Sequence, residues 1–206
     1  FEFAGEVEAV GEGVTRFKPG DRVYGGAVGG NYAEYRTIGE AGPVAPIPKG
    51  LSFNDAAALP FGLPTAMHFL SAGKITPGQT ILIIGASGCV GAYAVQLAKH
   101  MGAVVTAACS GRNAEMVTAL GADHVIDYTR QGYDGAGPYD AVMDCVGAID
   151  FRRSIPLLKR GGVFLNVVMN TADILATMSP FKQGRRIIGG TSDPTQATLL
   201  TINDLI

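Results

Sequence analysis

Polar and apolar residues follow two rhythms along this chain. In the first part they alternate over short stretches set off by glycine and proline. Gly5-Glu6-Val7-Glu8-Ala9-Val10-Gly11 alternates as a half-buried strand does. Phe17-Lys18-Pro19-Gly20-Asp21-Arg22-Val23-Tyr24 sets a Pro-Gly turn before a second strand, and Gly30-Asn31-Tyr32-Ala33-Glu34-Tyr35-Arg36 predicts a third. Pro43, Pro46 and Pro48 mark an extended connector. Phe53 to Leu59 and Thr65 to Ala72 read as helix, interrupted at Pro60 and Pro64.

After the Thr76-Pro77-Gly78 turn the rhythm changes. Apolar runs at Thr80–Ile84, Ala103–Ala108, Asp123–Asp127, Tyr139–Asp144, Val163–Val168 and Arg186–Gly190 predict strands. Helical stretches at Ala92–Met101, Asn113–Leu120 and Phe151–Leu158 lie between them, the last ending on the cationic Lys159-Arg160-Gly161-Gly162. Six strands with intervening helices make an α/β fold, a doubly wound parallel sheet of the Rossmann type. The pattern divides the chain into residues 1–74, a β-rich part with its connector, and residues 75–206, a dinucleotide-binding domain.

The dinucleotide reading rests on Gly85-Ala86-Ser87-Gly88-Cys89-Val90-Gly91, between the first long strand and its helix. Free N–H groups at the helix start, with the positive end of its dipole, suit a pyrophosphate. Gly88 lets the backbone approach the phosphates, Gly91 lets the helix lie against the strand, and Ala86 stands where the first glycine of such motifs is usual. A second strand follows, giving β-α-β in about thirty residues.

The end of that second strand bears on which dinucleotide binds. A site for NAD usually places Asp or Glu there for the ribose 2′-hydroxyl. Here it reads Cys109-Ser110-Gly111-Arg112-Asn113, and Glu115 is already inside the next helix. Ser110 can donate a hydroxyl, and Arg112 can meet a 2′-phosphate with a charge-assisted fork. This favours NADPH. Ser110 as a helix cap and Arg112 as a solvated first-turn residue is the plainer reading, and both can hold together.

Composition adds bounds. The 206 residues suffice for one large domain or one domain and part of another, and the formal charge of −2 suggests no bulk polyanion partner. No apolar stretch is long enough for a membrane span and no signal peptide is visible. Cys89, Cys109 and Cys145 are widely spaced, form no Cys-x-x-Cys pair, and fit a reduced, cytoplasmic setting as small core or turn residues. Cys89 stands at a helix start, where a thiolate is favoured. His68, His100 and His124 read as structural or solvent-facing.

Several segments together resemble the medium-chain dehydrogenase/reductase superfamily, in its zinc-independent quinone oxidoreductase (zeta-crystallin-like) branch. They are Gly5-Glu6-Val7 through Phe17-Lys18-Pro19-Gly20-Asp21-Arg22-Val23; Ala56-Ala57-Ala58-Leu59-Pro60; the glycine turn with Ala94-Val95-Gln96-Leu97-Ala98-Lys99; and Leu120-Gly121-Ala122-Asp123-His124-Val125-Ile126-Asp127-Tyr128. The resemblance implies a partial GroES-like substrate domain beside the Rossmann domain, an active site in the cleft between them, and a chain truncated at both ends. It implies no zinc: Phe1 stands at the ligand-histidine position, and Gly25-Gly26-Ala27-Val28-Gly29-Gly30 replaces the four-cysteine lobe of zinc-dependent relatives.

Such a protein is expected to reduce quinones or α,β-unsaturated carbonyls, electron-poor π systems that accept hydride without a metal. The alternatives are a secondary alcohol dehydrogenase of the same fold, or an NADPH-binding structural, redox-sensing or RNA-binding factor without turnover. No basic stripe or aromatic platform supports the RNA role. By family position, Thr65 in Leu63-Pro64-Thr65-Ala66 is expected near the nicotinamide and Tyr128 near the 2′-phosphate. Ala86, Ser87, Gly88, Cys89 and Val90 form the expected cradle, with Ser110, Arg112 and Asn113 beside it. Cys145, Val146 and Gly147, and Val167 and Val168 within Asn166–Met169, complete the expected cofactor edge. Tyr32 and Tyr35 are polar-tipped candidates or ordinary sheet aromatics. Relatives suggest a homodimer built by pairing the Arg186–Gly190 strands. The expected partner is a small-molecule substrate, with no nucleic acid and no membrane.

Overall fold

The computed structural model describes residues 1–133, 135–178, 184–192 and 194–206. In chain order it begins β1 (Glu2–Glu6), β2 (Arg22–Gly26), β3 (Val44–Pro46), α1 (Phe53–Ala57) and α2 (Leu59–Gly73). It continues β4 (Thr80–Ile84), α3 (Cys89–His100), β5 (Val104–Cys109), α4 (Ala114–Ala119) and β6 (His124–Asp127). It closes with β7 (Tyr139–Asp144), α5 (Phe151–Ser154), β8 (Leu158–Asn166), α6 (Thr171–Met178), β9 (Arg186–Gly189) and α7 (Gln196–Asn203). Among the described residues no helix is long and apolar enough to cross a membrane.

The chain divides into two compact units, residues 1–64 with 192–206, and residues 65–191. These bounds differ from a division at 74/75. Ala66, Phe69 and Leu70 of α2 are buried in one cluster with Ile81, Ile83 and Leu165, which ties that half of the helix to the second unit. Residues 196–203 belong to the first unit because α7 is bonded to β2 and β3. Tyr24 Oη lies 2.9 Å from Leu199 O and 2.7 Å from Asn203 Oδ1, Gln196 Nε2 donates to Val44 O, and Asn203 Nδ2 donates to Pro46 O. Burial pushes the Tyr24 hydroxyl up to about 12, so it stays a neutral donor.

The first unit carries an antiparallel sheet in the order β1-β2-β3. Two expectations fail here. Gly30–Arg36 forms no strand, because Gly29 and Gly30 are both left-handed (φ 75° and 71°) and Asn31 turns back to donate to Ala27 O at 2.9 Å. Tyr32 and Tyr35 are therefore exposed loop residues, not sheet aromatics. Val44–Pro46, expected as connector, pairs with Val23–Gly25 instead. The first strand also lies earlier than the alternation suggests, at Glu2–Glu6 against Arg22–Gly26.

The second unit is a six-stranded parallel sheet in the order β6-β5-β4-β7-β8-β9. Its strands are apolar on both faces, as a sheet covered on both sides must be. Ile81 and Ile83 face Val90, Ala94, Val95 and Ala98 of α3, whose spacing of four, one and three puts them on one helix face. Leu82 and Ile84 face the other way, in a cluster with Val142, Phe164, Phe151 and Leu157.

Pro64 does not break α2. A proline inside a helix costs about 3 kcal/mol, but burying Phe69 or Leu70 returns about 1.5–3 kcal/mol each. The expected helix to Leu158 stops at Ser154, because Pro156 turns the chain through a 3-10 turn at Ile155–Leu157. Lys159-Arg160-Gly161-Gly162 then lies within β8 rather than capping a helix, and Lys159 pairs with Asp140 of β7 at 2.7 Å.

Candidate functional site

All six strands point the same way, so the residues after Ile84, Cys109, Asp127, Asp144 and Asn166 share one edge of the sheet. The chain leaves β4 for β5 on one side and later builds β7 on the other. The crevice at such a reversal of strand order is where ligands of open α/β sheets bind.

The turn after β4 is shaped by glycine at specific positions. Gly85 is left-handed (φ 76°) and carries the tight bend. Its N–H and that of Ala86 both donate to Ala108 O at 3.1 Å. Ala86, the small residue of this crowded turn, is fully buried. A Cβ on Gly91 would lie 2.2 Å from Gly85 O, so α3 lies against the turn only because residue 91 has no side chain. Gly88 precedes α3 with no side-chain cap and no neighbour but Gly85 O within 4 Å of where a Cβ would sit. The helix start is thus open to an anion, as a pyrophosphate requires. Cys89 is exposed at the first helical position, while Val90 turns its side chain into the core.

The expected residues fall into two groups at this turn. Asn113 Nδ2 donates to Ser87 Oγ at 3.0 Å and reaches Ser110 Oγ at 3.3 Å, joining the cradle to the loop after β5. Tyr128 N–H donates to Cys109 O at 3.2 Å, which brings the end of β6 alongside, and its side chain is exposed. Arg112 is exposed and makes no hydrogen bond or ion pair among the described residues. On the other side, a Cβ on Gly85 would meet Val146 Cγ1 at 2.6 Å, and one on Gly147 would meet Val168 Cγ1 at 3.4 Å. Val146 and Val168 are exposed, Val167 packs against the core, and Thr65 is buried on α2.

Carboxylates that the motif reading did not single out hold this edge in shape. Asp144, fully buried, accepts the N–H groups of Val146 and Gly147 on Oδ1 (both 2.9 Å) and of Ile149 on Oδ2 (2.8 Å). Burial, and then the Asp144 charge, push the Cys145 thiol up, so it is a neutral packing group. Asp127 is held below the usual carboxylate range by the Thr129 hydroxyl and N–H, and then by the Gly111 N–H and Arg130. Asp173 accepts from Phe151 N and Asn166 Nδ2, both at 2.8 Å, and so ties α6 to the ends of α5 and β8. An Asp directly before a glycine-containing turn, as in Asp144-Cys145-Val146-Gly147, is the signal that marks such a residue.

His68, His100 and His124 are exposed. Among the described residues, no group of three or more His, Cys, Asp or Glu side chains is placed to hold a metal ion.

The family model described as zinc-binding dehydrogenase matches residues 89–196, and that of the alcohol dehydrogenase GroES-like domain matches residues 1–49. The chain belongs to the medium-chain dehydrogenase/reductase superfamily. Its members are oxidoreductases that use a nicotinamide dinucleotide, and the open cradle after β4 fits that group. A chloroplast envelope quinone oxidoreductase homolog of Arabidopsis thaliana is 42% identical over 81% of this chain and 54% of its own. An NADPH-dependent alkenal/one oxidoreductase of the same plant is 32% identical over 91% of this chain and 54% of its own. The solved quinone oxidoreductase of Coxiella burnetii superposes with a TM-score of 0.89 at 32% identity, covering 100% of this chain and 66% of that one. The chain thus spans about half the length of these curated relatives.

Proposed function

We propose that this protein is an NADPH-dependent, zinc-independent reductase of quinones or α,β-unsaturated carbonyls. The observation that carries the reading is the end of β5: Ser110 and Arg112 stand where a carboxylate would select NAD, and Arg112 has no partner among the described residues. NADPH bound at the cradle supplies a hydride to the substrate. The backbone from Gly88 to Val90 holds the pyrophosphate, Asn113 fixes Ser87 and Ser110 beside it, and Arg112 with Tyr128 takes the 2′-phosphate. Val146, Gly147 and Val168 give the cofactor an apolar wall, and the buried Thr65 orients the nicotinamide.

Zinc independence rests on residue chemistry. Phe1 offers no donor at the ligand-histidine position, and an electron-poor π system takes hydride without Lewis-acid help. The names of the alkenal/one and quinone oxidoreductases among its relatives agree with this substrate class. The first unit is assigned the role of a partial GroES-like substrate domain and the second that of cofactor binding. A cytoplasmic homodimer joined through the outer edge of β9 completes the proposal.

The test is consumption of NADPH against a panel of quinones, enones and saturated ketones, with and without a strong chelator. Turnover of quinones or enones that survives chelation supports the reading. Tight NADPH binding with no turnover on any of them replaces it with a binding role, and chelator-sensitive turnover of ketones replaces it with an alcohol dehydrogenase.

A further inference from the structure

The connection from β6 to β7 passes across β5 and β4, and parallel crossovers of this kind usually carry a helix. Here the described residues between 128 and 138 hold none. Tyr133 and Ala136 of the crossover pack on the apolar cluster of that face, and beside them opens a cavity of about 670 Å³, within the size range of small-molecule sites. Ile149, Leu157 and Leu158 give it an apolar floor, and Tyr133 lines it from the crossover.

The charged residues among its described lining are all cationic. Arg153, Lys159, Arg160 and Arg185 line the cavity, and none of its described lining residues is Asp or Glu. Lys159 is offset by Asp140 at 2.7 Å. Among the described residues the Arg153 guanidinium reaches Ala148 O at 3.4 Å, that of Arg185 donates to Leu158 O at 2.8 and 3.1 Å, and Arg160 makes no hydrogen bond or ion pair. In a chain of net charge −2, this is a local concentration of cations over an apolar floor. Guanidinium groups present paired donors that match the oxygens of a carboxylate or phosphate.

We propose that this cavity binds a small oxyanion carried on an apolar body, with the chain or ring on Ile149, Leu157 and Leu158 and the anion among the arginines. Tyr128, assigned to the cofactor, is among its lining residues, but the cations and the floor are separate from the residues assigned to the cofactor. The site does not depend on which nicotinamide cofactor the protein uses.

Isothermal titration of the protein with decanoate, decyl phosphate and decanol tests this. At least one of the two anions is expected to bind roughly tenfold more tightly than decanol, the scale of a charge-assisted hydrogen bond; whichever is tighter identifies the carboxylate or the phosphate as the anion selected. Arg160→Glu and Arg153→Glu, both at exposed positions, are expected to weaken the anions by a similar factor and leave decanol unchanged, with the circular dichroism spectrum intact. Equal binding of decanol and the anions, full displacement of the bound anion by NADP⁺, or unaltered anion affinity in both variants would overturn the proposal.

Discussion

Asn113 Nδ2 donates to Ser87 Oγ across 3.0 Å, joining the turn after β4 to the loop after β5. The same amide reaches Ser110 Oγ at 3.3 Å, so one side chain sets the position of both hydroxyls. A net hydrogen bond contributes about 1 kcal/mol. Asn113→Leu is therefore expected to lower stability by about 1–2 kcal/mol and, by releasing both hydroxyls, to raise the NADPH dissociation constant roughly fivefold or more. Fluorescence titration beside a thermal melt checks both halves.

Gly91 is a packing requirement. A methyl group there meets Gly85 O at 2.2 Å, a backbone atom that cannot step aside without moving the cradle. Gly91→Ala is expected to lower stability by about 1–3 kcal/mol, the usual cost of overpacking, and to weaken nucleotide binding as well. Urea denaturation and nucleotide titration of the same preparation measure the two effects.

Asp144 is the single acceptor for three backbone N–H groups of the turn after β7. Asp144→Ala leaves them buried or half-buried without partners, at about 1–3 kcal/mol each. The expected loss is roughly 3–5 kcal/mol in denaturant unfolding, among the largest for a single substitution. Asp144→Asn, which keeps one carbonyl oxygen, is expected to lose less.

The Lys99–Asp123 pair gives a pH signature. The hydrogen bond from Lys99 at 2.8 Å, and then the N–H of Val105, hold the Asp123 carboxyl below its ordinary value. A carboxyl depressed in the folded state contributes stability above its unfolded value near 4 and loses it as pH falls through the folded value. The stability gap between the protein and Asp123→Asn is therefore expected to be full at neutral pH and to close below about pH 4. Urea titrations across that range read it directly; a gap independent of pH would assign the effect to packing.

Much of this was legible in the chain itself. The six parallel strands were visible because strands buried on both faces are continuous apolar runs, and the packing of the helix start on the turn after β4 was visible because glycine is required at Gly91; that the bend falls at Gly85 was not. What misled was local chemistry overridden by packing or by turn geometry. Pro64 is tolerated in α2 because Phe69 and Leu70 anchor it, and the alternating Gly30–Arg36 stretch is curled by the paired left-handed Gly29 and Gly30. The turn-shaping roles of Asp144 and Asp173 depend on N–H groups brought together only by the fold, although Asp144 before a glycine turn carried a readable hint. Helix α7 was missed because its partners, Tyr24, Val44 and Pro46, lie far back in the chain.

Arg112 is proposed to select the phosphorylated cofactor. The most direct test of this is the dissociation constants of NADPH and NADH for the protein and for Arg112→Glu. Removing a charge-assisted fork and placing a carboxylate beside the phosphate predicts at least about a tenfold loss for NADPH with NADH held or improved. Equal losses for the two cofactors, or no change in either, would contradict the account.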